Sequence, residues 1–199
     1  SATIDDLRLY YAQEADDVAV EKDLALLPSY MKPGELSDGV MYKSVALPKE
    51  GIHGSTIAWE SSIPEILGAD GTLNRPSDEA YSTDPTVTLK ATVTSGKVSK
   101  EKIFNLTVLR EGSGDLKVAQ SDADALSLAS LLLKSEKIEG FVSNDLSFPS
   151  SGQFGSAITW ESSHPLLISD EGVVTRPASI ADSPMVTLTA TVTFAGQVA

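Results

Sequence analysis

The sequence predicts an all-β protein built of two tandem β-sandwich domains, and three observations predict it. Thr56–Pro76 reads TIAWESSIPEILGADGTLNRP and Ala157–Pro177 reads AITWESSHPLLISDEGVVTRP, so Trp-Glu-Ser-Ser, a nearby Pro, a Gly and Arg-Pro recur at an offset of 101. VTLKATVT at Val87–Thr94 returns as VTLTATVT at Val186–Thr193, offset by 99, so the intervening loop is two residues shorter in the second copy. A spacing of about 100 residues exceeds the ~20–50 of a solenoid unit and matches one small sandwich. Apolar residues also alternate in short runs separated by turn residues, which is a strand pattern.

Each element follows in order. EADDVAVEKDLALLP reads as a turn or short helix ended by Pro28, and GVMYKSVALP as a strand that stops at Pro48. STIAWESS puts Ile57 and Trp59 on one face, Ala58 and Glu60 on the other. EILGADGTLNRP supplies two very short strands around Asp70-Gly71, a pair that tolerates positive φ. TVTLKATVT and KIFNLTVLR then flank SGKVSKE, with Val87, Leu89, Ala91 and Val93 on one face and Phe104, Leu106 and Val108 turned inward. REGSGDLK is polar and holds two Gly, which marks a linker. The resulting division is 1–13 as a leader or the end of an upstream domain, 14–110 as domain 1, 111–117 as linker and 118–199 as domain 2.

The second copy opens with SDADALSLASLLL, whose Ser-x-x-Asp start and lack of Gly and Pro predict a short helix from Ser121 to Leu133. Leu128, Leu131 and Leu132 share its face, although LSLASLLL also reads as a strand. The offset of 101 carries back to Asp23 and Asp124 without a gap. The chain stops at FAGQVA where the first copy continues through KIFNLTV. The second domain is therefore expected to lack its last strand, with an open edge, and the chain to be a fragment of something longer.

Composition narrows the functions. A net charge of −13 and a pI near 4.4 argue against nucleic acid and against an anionic membrane surface. No run approaches the ~20 apolar residues of a membrane span, so no membrane insertion is expected. There is no cysteine, which excludes a Cys-based zinc site and a thiol nucleophile. No signal peptide is visible, although the chain starts abruptly at SATIDD.

Both copies resemble the atrophied bacterial Ig-like domain, as found in secreted bacterial glycoside hydrolases. The resemblance rests on Leu47-Pro48, Gly54, Trp59–Ser62, Pro64, Gly71, Arg75-Pro76 and Val87–Thr94. In the second copy it rests on Phe148-Pro149, Gly155, Trp160–Ser163, Pro165, Gly172, Arg176-Pro177 and Val186–Thr193. Pro28 to Lys43, with PSYMKPGELSDG in place of a simple turn, departs from the pattern, as does the truncated end. ATIDDLRLYYA, in turn, resembles the closing strand of a laminin-G-like, concanavalin-type lectin domain. The resemblance implies two immunoglobulin-like sandwiches in a secreted or surface-attached bacterial protein.

The candidate residues weigh toward structure. Trp59 and Trp160 fit the core of such a sandwich better than a sugar-stacking platform. Arg75-Pro76 and Arg176-Pro177 recur beside them, and an Arg there is expected to clamp the acidic face of its own domain. Glu60 and Glu161 recur too, but a glycosidase pair needs carboxyls about 5–10 Å apart in one cleft, and these lie in separate domains. His53 and His164 do not align, and no Gly-x-Ser-x-Gly elbow supports a triad, so no catalytic residue is assigned. Tyr30, Met31 and Tyr42 form the one candidate ligand surface. Of the other tyrosines, Tyr10, Tyr11 and Tyr81 are scattered. Asp16-Asp17, Asp122/Asp124 and Glu111/Asp115 are oxygen-rich, which keeps calcium open as a cofactor, but no EF-hand spacing is present.

The leading expectation is a non-catalytic spacer and scaffold pair whose partners are the flanking domains of the same polypeptide. The alternative is an adhesion or glycan-binding pair that recognises a polysaccharide or a surface protein. Burial of Tyr30, Met31 and Tyr42 would favour the spacer.

Overall fold

The computed structural model describes residues 2–131, 142–179 and 185–199, with side chains from residue 15 onward except 128 and 129. Two compact units divide it, Ser1–Gly114 and Asp115–Ala199.

The first unit opens not with a strand but with helix α1, Ala2–Met31, so the lectin-like closing strand expected over residues 2–12 is not formed. Ala2 to Leu27 contains neither Gly nor Pro and is rich in Ala and Leu, so nothing interrupts a helix. Pro28 sits inside the last turn rather than ending it, at the cost of one backbone bond. Val20, Leu27 and Met31 are fully buried and Leu24 packs beside them, a 4-3-4 spacing that lays one stripe on the sheet.

A 3₁₀ turn, Lys32–Gly34, leads into β1 (Glu35–Ser37) and β2 (Val40–Met41). Next come β3 (Thr56–Ser61), β4 (Thr86–Ser95) and β5 (Val98–Val108), in a sheet of order β1-β2-β5-β4-β3. β2 runs parallel to β5 and the other pairs are antiparallel. The strand expected through Pro48 is only two residues long. Beyond it Val45 and Leu47 still point inward, but their N–H groups bond to the Gly71 and Asp70 carbonyls of a neighbouring turn instead of a ladder. Gly71 has φ +89°, and a Cβ there would meet the Val45 carbonyl oxygen at 2.1 Å, so this crossing admits only glycine.

The β4–β5 hairpin turns on Gly96-Lys97 alone, since Ser95 already pairs with Val98; the expected seven-residue loop is mostly strand. Val87, Leu89, Ala91 and Val93 are fully buried, as are Leu106 and Val108, while Phe104 packs at the core margin.

Helix α2, Ser113–Asp124, starts on the last two residues of the first unit and continues into the second, where α3 spans Leu128–Leu131. The expected helix therefore starts earlier, within the polar stretch read as a linker, and breaks after Asp124; Leu132 and Leu133 lie outside the described residues. β6 (Ala157–Ser162), β7 (Leu188–Phe194) and β8 (Gln197–Val198) form a sheet of order β6-β7-β8. Ala119, Ile158 and Val192 are its buried centre. The first of these helices, 30 residues long, far exceeds the short one expected, and most of the other described elements are β-strands.

Candidate functional site

The polar groups that recur in both units converge on one arrangement, a carboxylate from the helix held in a glycine loop. Asp23 lies on the buried face of α1 and is 1 % exposed. Its Oδ1 accepts the His53 N–H at 3.1 Å and lies 2.8 Å from His53 Nδ1, and its Oδ2 accepts the Ser55 N–H at 3.3 Å. Burial pushes this carboxyl up, but the bonds from His53 and Ser55 outweigh burial and hold it below its usual value.

Asp122 repeats the arrangement on α2, also 1 % exposed, accepting N–H groups of Phe154 at 2.9 Å and Ser156 at 3.1 Å. The receiving loops read GIHGS (51–55) and GQFGS (152–156). Each closes with paired backbone bonds: Gly51 N–H to Ser55 O at 2.8 Å and Gly152 N–H to Ser156 O at 2.9 Å. The counterpart of Asp23 is thus Asp122, not Asp124. The helices align at an offset of 99 and the loops at 101, so two extra residues lie between them in the second copy. The doubled Gly-x-x-Gly-Ser was the sequence signal for this site.

The tryptophans act in the same way. The Trp59 indole N–H donates to the Pro48 carbonyl at 2.8 Å, and that of Trp160 to the Pro149 carbonyl at 3.0 Å. Trp59 is buried, whereas Trp160 is half-buried and stacks on Phe148 with ring centres 4.5 Å apart.

Arg75 is half-buried and forks onto backbone, its Nε donating to the Leu109 carbonyl at 2.7 Å and its Nη2 to that of Arg110. The acidic loop engages the neighbouring cation. Arg110 Nε reaches Asp84 at 3.2 Å and its Nη1 reaches Asp78 at 3.2 Å. Asp78 also accepts the Ser113 N–H and hydroxyl, bonds that lower its carboxyl below its usual value. Arg75 thus holds the strand-end carbonyls of Leu109 and Arg110. Pro76 accepts the Glu111 N–H at 2.9 Å. Arg176 and Pro177 are exposed.

Tyr30, Met31 and Tyr42 do not form an exposed surface. Met31 is 1 % and Tyr42 4 % exposed, and Tyr30 packs against the core, because α1 extends far enough to carry Tyr30 and Met31 onto the sheet. The side chains of Tyr10 and Tyr11 lie outside the described ones. Glu60 and Glu161 face solvent, Glu60 pairing with Lys90 at 2.6 Å. Among the described residues no group of three or more His, Asp or Glu converges as metal ligands. Asp16 instead accepts the Ser95 hydroxyl at 2.8 Å. Among them, too, no helix is long and apolar enough to cross a membrane.

A search of curated proteins found no significant match. The family model of the atrophied bacterial Ig domain matches residues 20–111 and 119–199, and each match opens on the helix that carries the buried aspartate. The chain belongs to the atrophied bacterial Ig domain family and carries two copies of the domain.

Proposed function

We propose that the chain is a non-catalytic pair of immunoglobulin-like sandwich modules, the second without its last strand, serving as spacer and scaffold. Its setting is a secreted or cell-surface bacterial protein, a multidomain carbohydrate-active enzyme, whose flanking domains are its partners. One observation carries this reading. Trp59 and Trp160, Asp23 and Asp122, Ser61 and Ser162, and Ser62 and Ser163 recur as side chains that bond to the backbone of their own unit. Side chains committed in this way position a framework. Burial of Met31 and Tyr42 takes two of the three residues of the candidate ligand surface away from solvent.

Affinity gel electrophoresis against a panel of plant and bacterial polysaccharides, with and without calcium, tests the reading. Unretarded migration on every gel is expected. Retardation by one polymer would replace the spacer with the glycan-binding alternative.

A further inference from the structure

We infer that residues 75–84 form a clasp on residues 109–114, so that the polar stretch expected as a linker leaves the first unit as a fixed helix start and not as a flexible tether. Composition argues for a tether, since EGSGD (111–115) holds two glycines and no large apolar residue to pack. Helix α2 nevertheless begins inside it, at Ser113. Local propensity does not explain that start. Gly112, the residue before the helix, has φ +72° and no side chain to serve as a cap, and Gly114 is a poor helix former in the first turn. Asp78 supplies the capping oxygens from another loop of the same unit. Its Oδ2 accepts the Ser113 N–H at 2.9 Å and its Oδ1 the Ser113 hydroxyl at 2.6 Å, which sets a negative charge at the positive end of the helix. A Cβ on Gly112 would stand 2.7 Å from the same Oδ2.

The hold runs back along the segment. Arg75 takes the Leu109 and Arg110 carbonyls, Asp84 accepts the Arg110 N–H at 3.1 Å, and the Pro76 carbonyl accepts the Glu111 N–H at 2.9 Å. The Arg110 side chain, 14 % exposed, folds back onto Asp78 and Asp84 and donates to the Tyr81 carbonyl at 2.6 Å. A Cβ on Gly114 would lie 2.8 Å from Arg75 Nη2, so the helix start passes close against that guanidinium. Leu109, Arg110, Glu111 and Ser113 each have a backbone group bound by the one segment, and all of them belong to the first unit. A flexible tether leaves such groups to water; here protein groups take them, which fixes the path of the chain. The clasp does not depend on what the chain binds, so it stands or falls apart from the spacer reading.

The test compares the intact 199-residue chain with its Asp78→Ala and Asp78→Asn variants by NMR amide exchange. Exchange at Ser113 is expected to quicken about tenfold in Asp78→Ala, the scale of losing a helix cap, and by less in Asp78→Asn, which keeps one acceptor oxygen. A second arm uses a glutamyl endopeptidase. Cleavage after Glu111 is expected to be far slower in the unchanged chain than in a free peptide of residues 107–118, TVLREGSGDLKV. It is expected to quicken in Asp78→Ala, with cleavage after Glu101 in β5 unmoved. The inference is overturned if the unchanged chain is cut after Glu111 as fast as the free peptide, or if Asp78→Ala leaves exchange at Ser113 unaltered. It is also overturned if the cuts after Glu101 and Glu111 quicken together in Asp78→Ala, since the opening would then be unfolding of the whole unit.

Discussion

The Asp23 carboxylate occupies the space that a side chain on Gly51 would need: a Cβ there would stand 2.1 Å from Oδ2. Gly152 and Asp122 repeat the relationship, also at 2.1 Å from the nearest carboxylate atom. The helix is thereby keyed to the loop before the Trp strand, with the glycine admitting the carboxylate and the loop N–H groups binding it. Turning the carboxylate aside would break its bonds to His53 and Ser55. Gly51→Ala and Gly152→Ala are therefore expected to destabilise their own units by about 1–3 kcal/mol each. Urea unfolding followed at the tryptophan of each unit measures this, since two domains need not unfold together.

The pH dependence of the first unit follows from Asp23. Its folded pKa lies below its unfolded value, so its contribution is complete above the unfolded carboxylate pKa of about 3.9 and lost as pH falls through the lower folded value. The urea midpoint reported by Trp59 is expected to fall below about pH 4, with this carboxylate contributing to the slope. Asp23→Asn is expected to lower the midpoint at neutral pH and to flatten that acid slope.

Arg75 and Arg176 stand at matching positions and are expected to differ. Arg75→Met removes two charge-assisted bonds to carbonyls and should cost about 1.5–3 kcal/mol for each bond that water does not replace. Arg75→Lys should recover only part, because an ammonium lacks the planar fork. Arg176→Met should stay within about 0.5 kcal/mol, as for exposed positions in general. Denaturant midpoints of the three variants decide it.

The two tryptophans should diverge as well. Trp59→Ala opens a cavity in a closed core and should cost about 3–5 kcal/mol. Trp160→Ala removes a half-buried ring and should cost less. Equal losses would contradict the difference in packing between the units.

Much of the fold was legible because strand alternation and turn residues act locally. Trp59 inward with Glu60 outward, the buried row from Val87 to Val93, and the Asp70-Gly71 turn needed nothing beyond a period of two and the φ of glycine. The strand written through Pro48 failed for a reason of partners: Val45 and Leu47 alternate as a strand does, yet their N–H groups meet a turn. The reading of residues 2–12 as a strand followed a resemblance, against a composition that favours helix.

By itself the sequence determined the duplication, the places of the two Trp strands and the glycine turns, since these depend on residue identity and short-range spacing. Which residues face one another across the fold was decided only in three dimensions. The pairing of Asp23 with Gly51, its repetition by Asp122 rather than Asp124, and the bond of Arg75 to a strand-end carbonyl all join residues about 30 apart. Such contacts depend on helix length, crossing position and desolvation, and no local pattern encodes them.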